Sequence, residues 1–374
     1  MKIAINTRLL LKNRLEGIGW FTYENFKRIT TAHPEHEFYF LFDRHYSDEF
    51  IFADNVHPIV ISPPARHPFL WIAWFEYSVP HVLKKIQADL FVSPDGYLSL
   101  HTDIPQLAVI HDINFQHRPK DLPLSSRLYY RYYFPKFAQK AKRIVTVSEY
   151  SKKDICESFH VSPDKVDVVY NGANVDYRPL NPEEIKATKA KYSKGYDYFL
   201  FVGALHPRKN VSGLLSAFDR FVHHYGTDHK VLIVGEKMFY TADLDLIYNQ
   251  MQFGDDVLFT GRLDTTELKY VLGSATAMVF VPFFEGFGIP IVEAMYAGVP
   301  VICSNTTSMP EVACDAALYV DPSDVEAIAE AMHQISTDAN LRANLIKKGK
   351  VQCEKFSWDK SAKKLWESIE KCLA

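Results

Sequence analysis

Short, unbroken apolar runs rich in Val, Ile and Phe alternate along this chain with longer stretches of helical period. In the first half the short runs are 2–7 (KIAINT), 37–42, 89–93, 106–110, 143–147 and 166–170, and helices are predicted between them over 18–32, 69–88, 124–141 and 149–159. The second half repeats the scheme, with strands at 198–203, 230–235, 256–261, 277–281 and 300–304 and helices at 210–225, 241–252, 265–274, 290–297 and 324–336. Strand–helix alternation in which the strands are apolar throughout predicts parallel sheets covered on both faces. The chain therefore reads as α/β, with two doubly wound sheets. The segment NGANVDYRPLNPEE (171–184) joins an Asn-Gly turn, two prolines and a fresh helix start, which marks a boundary. The expected domains are 1–178 and 179–356. A last helix over about 357–374, with Trp358, Ala362, Leu365 and Ile369 on one face, is expected to pack back on the first. Open α/β sheets hold ligands beyond their strand C-termini, so a cleft between two such domains is the place to look for a site.

Composition narrows the possibilities. The chain has 374 residues, 47% apolar and 23% charged, within the globular range and long enough for two domains. Lys and Arg total 42 against 45 Asp and Glu, so no basic excess exists to hold nucleic acid by counterion release. Five scattered Cys, none in CxxC spacing, argue against a disulfide framework and a structural zinc site. No signal peptide and no run of 18 apolar residues is read, so a cytoplasmic location is expected.

The most informative stretch is FFEGFGIPIVEAMYAGVPVICSNTTSMPEV (283–312). It leaves a strand, crosses a loop containing Gly286 and Gly288, and enters a helix with Pro290 near its start and Gly298 at its stop. Backbone N–H groups at such a helix start face an anion or sugar hydroxyls. Glu285 in the loop and Glu293 about one turn into the helix would stand on the order of 10 Å apart. That is too far for a retaining-glycosidase carboxylate pair, which needs roughly 5 Å. It suits two hydroxyl-bearing rings joined by a phosphate bridge. In HPRKN (206–210), Asn210 reads as an N-cap. Arg208 and Lys209 put two cations at a helix start, against the local dipole, a placement that calls for a partner anion. Lys209 is expected to point into a solvent-filled cleft. His111 follows the strand 106–110 and should stand at the C-terminal edge of its sheet, where Asp112 either orients the imidazole or caps a turn.

These motifs resemble the retaining glycosyltransferases of family 4, which have the GT-B fold: two Rossmann-like domains facing across a cleft. The family's Glu-x7-Glu element is present as Glu285 to Glu293 in EGFGIPIVE, and VGALHPRKN (202–210) and GVPVICSNTTSMPEV fit the same pattern. The resemblance is dense over 196–322. It continues more thinly through GIGWF (17–21), VIHDINF (109–115) and TVSEYSKKDI (146–155). It implies that Glu285 contacts the transferred sugar and Glu293 the nucleotide ribose, and that the backbone of Gly286, Phe287 and Gly288 meets donor hydroxyls. It further implies that Lys209 contacts the diphosphate, that His111 lies beside the donor sugar, and that Gly17 and Gly19 form a phosphate or acceptor loop. Many relatives carry an Arg directly after the strand glycine, where this chain has Ala204; Arg208 is the substitute at hand.

The expected activity is transfer of a hexose, with retention and without metal, from a nucleotide-diphosphate sugar to a glycan or lipid-linked acceptor. The PRKN and EGFGIPIVEAM variants look most like mannosyltransferases, which makes GDP-mannose the expected co-substrate; no further cofactor is expected. The alternatives are a sugar-nucleotide epimerase on the same scaffold and a non-catalytic sugar-nucleotide binding protein. An NAD-dependent enzyme is disfavoured because GIGWFT (17–22) misses the third glycine of a dinucleotide fingerprint and lies ten residues past its strand. Two metal-like patterns are set aside: Asp243-Leu244-Asp245 opens a predicted helix, and His33-x-x-His36 is read as a solvent-facing loop. Segment 120–143 carries seven Lys/Arg and one Asp among Tyr129, Tyr130, Tyr132, Tyr133, Phe134 and Phe137. Such a helix either lies on an anionic membrane surface, which would make the enzyme peripheral at the inner face, or is half-buried with a solvated basic face.

Overall fold

The computed structural model describes residues 1–174, 176–236 and 242–373. The chain forms two compact units, one of Met1–Gly172 with Ser357–Ala374 and one of Ala173–Phe356. The first holds seven strands: β1 (Lys2–Asn6), β2 (Glu37–Phe42), β3 (Val56–Val60), β4 (Leu90–Ser93), β5 (Gln106–Val109), β6 (Arg143–Thr146) and β7 (Val166–Val168). They pair in the order β3-β2-β1-β4-β5-β6-β7, every pair parallel. The second unit holds β8 (Tyr198–Val202), β9 (Lys230–Val234), β10 (Val257–Gly261), β11 (Ala277–Phe280), β12 (Val301–Ser304) and β13 (Ala317–Val320). Their order is β10-β9-β8-β11-β12-β13, again all parallel. Central strands such as β4, β5, β11 and β12 are buried residue by residue, and β8 at all but its last position, the condition their unbroken apolar runs imply. Among the described residues, no helix is long and apolar enough to cross a membrane.

Strand order reverses between β1 and β4 in the first unit and between β8 and β11 in the second. Crossovers leave such a strand pair in opposite directions, which opens a crevice at its C-terminal end. Glycine keeps the second crevice open. Gly203 ends β8 at φ +151° and Gly235 ends β9 at φ +157°, and a side chain on Gly235 would collide with the carbonyl of Gly203.

Two strands and several helices escape the periodicity. β3 carries Pro58, which lacks a donor for a sheet interior, and β3 is an edge strand, as is β13. The helix Ala339–Cys353 is mostly polar and buries little beyond Leu345, Gly349, Gln352 and Cys353, so its apolar stripe is faint. The helix Pro182–Ser193 is fixed instead by a capping box, in which Asn181 Oδ1 accepts from the Glu184 amide at 2.9 Å and Glu184 Oε2 accepts from the Asn181 amide at 2.9 Å. The terminal helix Trp358–Leu373 lies against Gly17–Ala32 in the first unit and buries Trp358, Ala362, Leu365, Trp366 and Ile369.

Candidate active site

The second unit assembles its chemistry at the β8/β11 reversal. After β8 the chain makes a single 3₁₀ turn, Pro207–Lys209, and Asn210 takes a left-handed conformation at φ +58° before the helix Val211–Tyr225. Asn210 is not the side-chain cap expected of it. Its carboxamide donates to the carbonyls of Val281 (3.1 Å) and Pro322 (2.7 Å), which fastens this loop to the ends of β11 and β13. The Phe283 amide donates to the Arg208 carbonyl at 2.8 Å, bringing the two loops together.

On that base Arg208 and Lys209 converge on one oxygen. Glu285 Oε2 accepts from the Arg208 guanidinium at 2.6 Å and from the Lys209 ammonium. The side chains are only 20%, 12% and 14% exposed for Arg208, Lys209 and Glu285, so Lys209 does not extend into solvent. Adjacent residues at a regular helix start would diverge; the 3₁₀ turn, with Asn210 left-handed behind it, turns both to one side. Lys209 Nζ also stands 4.9 Å from the Phe280 ring. Burial disfavours a charged Glu285, but the two cations outweigh it and hold the carboxyl down at about 2. The anion that Arg208 and Lys209 need is thus supplied in the chain itself.

Behind Glu285 the loop turns through Gly288, at φ +94°, into the helix Ile289–Tyr296. The left-handed φ at Gly288 favours glycine, and a Cβ there would also stand 2.9 Å from the terminal methyl of Met309, which would have to shift. The Phe287 side chain is buried edge-on against Phe356. The Ser308 hydroxyl donates to the Glu285 carbonyl at 2.9 Å and steadies the loop.

Glu293 has a different environment from Glu285. Desolvation raises its carboxyl to about 7, and a hydrogen bond from the Tyr177 hydroxyl offsets this in part. Tyr177 is 5% exposed, and burial beside this carboxyl pushes its phenol far up, so it stays a neutral donor. One unit therefore holds two carboxyls whose environments drive them apart, a pattern concentrated at functional sites.

In the first unit, His111 follows β5. Its Nε2 donates to the Pro94 carbonyl at 2.8 Å, which leaves Nδ1 as an acceptor. Desolvation lowers its basicity, so the ring is neutral at physiological pH. The Phe21 ring packs against it, edge to face at 5.0 Å. Asp112 does not orient the imidazole; its carboxylate accepts from the Asn114 amide (3.0 Å) and side chain (2.6 Å) and caps a turn. Gly17 opens the helix Gly17–Ala32 with open space where a Cβ would stand, whereas a Cβ on Gly19 would lie 3.0 Å from the Leu9 carbonyl.

At the β1/β4 reversal stands a cluster the sequence reading missed. Arg8 Nε donates to Asp95 at 2.6 Å and its guanidinium lies 4.4 Å from the centre of the Tyr97 ring, while Asn6 donates to Asp95 at 2.7 Å. The available signal was position, since Asn6 ends β1 and Arg8 and Asp95 lie two residues beyond β1 and β4, the strands that flank the reversal.

One pattern behaves differently from expectation. His33 and His36 are not plain solvent-facing groups: both rings stack on Trp366, at 3.7 and 5.2 Å. Asp245 is exposed in the helix Ala242–Gln250, and the side chain of Asp243 lies outside the described residues. Helix Leu124–Lys140 buries Tyr129, Phe134 and Phe137, whereas Leu124, Leu128 and Tyr132 are 61%, 57% and 57% exposed.

Comparison with known proteins agrees with this arrangement. Residues 183–352 match the family described as glycosyl transferases group 1, and residues 27–177 match glycosyltransferase family 4. O-antigen chain mannosyltransferase B of Escherichia coli is 29% identical over 96% of this chain and 97% of its own. O-antigen chain mannosyltransferase RfbU of Salmonella typhimurium is 28% identical over 80% of this chain and 81% of its own. Among solved structures, Anabaena Alr3699/HepE in complex with UDP and glucose superposes with a TM-score of 0.77 at 15% identity, covering 99% of both chains. WaaG, a glycosyltransferase involved in lipopolysaccharide biosynthesis, gives 0.76 at 14% identity, covering 97% of this chain and 98% of its own. The two doubly wound units are those of the GT-B fold, and the chain belongs to the group 1 glycosyltransferases of family 4.

Proposed function

We propose that this glycosyltransferase is a retaining, metal-independent mannosyltransferase that takes its sugar from GDP-mannose and adds it to a growing glycan or lipid-linked saccharide. The observation that carries the reading is the convergence of Arg208 and Lys209 on Glu285 at the β8/β11 reversal, with Glu293 one helical turn behind the Gly286–Gly288 loop. The mannosyl and O-antigen part rests on the names of the relatives in Escherichia coli and Salmonella.

In this reading the bond between the anomeric carbon and the β-phosphate oxygen breaks while the acceptor hydroxyl bonds to the same face of that carbon. The acceptor proton passes to the departing phosphate. Arg208 and Lys209 neutralise the charge that grows on the diphosphate, a fixed-cation role that removes the need for a metal. Glu285 holds both cations in place beforehand and accepts from a sugar hydroxyl. Glu293 accepts from the ribose hydroxyls. Neutral His111, through Nδ1, accepts from a hydroxyl of the sugar, and the Gly17–Gly19 helix start takes phosphate or acceptor.

For the acceptor side we propose contact with an anionic membrane surface through 120–143. Leu124, Leu128 and Tyr132 recur every four residues and form one exposed stripe. Phe69 and Tyr77, 75% and 69% exposed, add to it from the segment 68–78, which packs on this helix through Trp71 and Tyr129. Exposed Arg131 and Lys136 flank the stripe and match anionic headgroups.

A thermal-shift series with GDP-mannose, other sugar nucleotides and NADP tests the donor assignment. A ligand at 100 times its Kd adds about 2.7 kcal/mol of stability. GDP-mannose is expected to give the largest shift; a shift with NADP and none with any sugar nucleotide would overturn the proposal.

A further inference from the structure

A second site lies in the first unit, in the turn His33-Pro34-Glu35-His36 between the helix Gly17–Ala32 and β2. Glu35 Oε1 stands 3.4 Å from His33 Nδ1 and 3.3 Å from His36 Nε2. One ligand atom from each of the three residues can be chosen so that all lie within 4.8 Å of one another. Tetrahedral ligands about 2.0–2.1 Å from a zinc ion stand roughly 3.3–3.4 Å apart. The two Glu–His separations are therefore already those of adjacent ligands on one ion.

The turn is also held in shape from outside. The Asn55 side-chain nitrogen lies within hydrogen-bond reach of two carbonyls of this turn, those of His33 (3.1 Å) and His36 (3.0 Å), and of the Thr30 carbonyl in the preceding helix (3.1 Å). The His36 amide donates to the His33 carbonyl at 3.2 Å and closes the turn. Trp366 stacks on both imidazoles, at interplanar angles of 19° and 24°, and limits their rotation. The Met1 nitrogen lies 3.4 Å from His36 Nδ1, the ring nitrogen not directed at Glu35. Outer contacts of this kind orient metal-binding histidines. His33 and Trp366 border an open cavity of about 960 Å³ between the helices Gly17–Ala32 and Trp358–Leu373, which gives an ion a way in.

From this juxtaposition we infer that His33, Glu35 and His36 bind a divalent transition-metal ion of borderline softness, with Zn²⁺ the best match. Two imidazoles and one carboxylate suit zinc, and three protein ligands leave a fourth position for water. The site lies apart from the residues assigned to transfer, so it stands or falls independently of the donor assignment. Its effect is local: it fixes the turn at the C-terminal end of the helix that begins with Gly17.

Calorimetric titration of tag-free, full-length, chelator-stripped protein with Zn²⁺ tests the inference. One ion per chain is expected, with micromolar affinity. His33→Phe keeps a ring on Trp366 but removes the ligand nitrogen, and it should weaken binding at least 100-fold; His36→Phe should do the same. Asn55→Ala should weaken it about 10-fold at unchanged stoichiometry, the range for lost outer contacts. Ni²⁺ should quench a fraction of the tryptophan emission, and that fraction should vanish in Trp366→Phe while one ion per chain still binds. Circular dichroism checks that each variant is folded. No binding up to 100 µM Zn²⁺, or one-to-one binding that survives in the folded His33→Phe/His36→Phe double variant, would overturn the inference.

Discussion

Replacing Glu293 with Gln tests the site's electrostatics without touching its shape. Desolvation raises this carboxyl from 4.5 to about 7. A proton held more tightly in the folded than in the unfolded chain stabilises the fold at low pH. That contribution is complete below about 4.5 and is lost as pH rises through about 7. Raising the carboxyl from 4.5 to about 7 sets an upper bound of about 3 kcal/mol, and the partial exposure of Glu293 brings the expectation to about 1–3 kcal/mol. Gln cannot ionise and still accepts from Tyr177, so Glu293→Gln escapes the loss. At pH 8 its melting temperature should exceed the wild type by several degrees, at roughly 2–4 °C per kcal/mol for a unit of this size. Near pH 4.5 the two proteins should melt together. Melting curves by circular dichroism from pH 4.5 to 8.5 provide the measurement. An offset that does not change with pH, or a variant that is less stable at pH 8, would refute the argument that burial controls this carboxyl.

Three further outcomes follow from the same geometry. Lys209→Ala should lower kcat by on the order of 10²–10³, the cost of one lost stabilising donor, while EDTA leaves wild-type turnover intact. Because Lys209 is a partly buried ion-pair member, the variant should also lose about 1–3 kcal/mol of stability, and Arg208→Ala should cost comparable activity since both cations reach the same oxygen; loss of activity on chelation, restored by Mg²⁺ or Mn²⁺, would contradict this mechanism. Tyr177→Phe removes the donor that orients Glu293 and should raise the donor KM about 10-fold with a smaller change in kcat, a split that a purely structural role would not produce. Changing Arg127, Arg131 and Lys136 together to Glu should weaken co-sedimentation with anionic liposomes at low salt, with about 1 kcal/mol per basic residue at stake; unchanged sedimentation would leave a merely solvated face.

The sequence exposed the strands most plainly where both faces are buried. The runs at 37–42 and 198–203 reappear as β2 and β8 within one residue, because a central parallel strand has no polar side to blur its pattern. β3 was hidden by Pro58, which an edge position tolerates. At the site, Glu285, Glu293 and the Gly loop were legible because chemistry and local backbone share one short segment. The partner of Arg208 and Lys209 was not, since Glu285 lies 76–77 residues away and only the β8/β11 pairing brings it near. Tyr177 was lost for the same reason: it belongs to a linker by composition and to Glu293 by contact. Asn210 was assigned a local hydrogen bond from its place before a helix, whereas its carboxamide serves two distant carbonyls. His33 and His36 look solvated in a polar loop until the last helix delivers Trp366 to them. Local chemistry reads out along the chain; partners supplied by the sheet order or by another element do not.

The claim at the centre of this account is retaining transfer from a nucleotide sugar, and the stereochemistry of the product tests it most directly. Wild-type protein is incubated with GDP-α-mannose, a saccharide acceptor and EDTA, and the one-bond C–H coupling at the new anomeric carbon is read by NMR. An α-linked mannosyl product that requires the acceptor is the predicted result. A β-linked product, or an altered sugar nucleotide formed with no acceptor present, would contradict it.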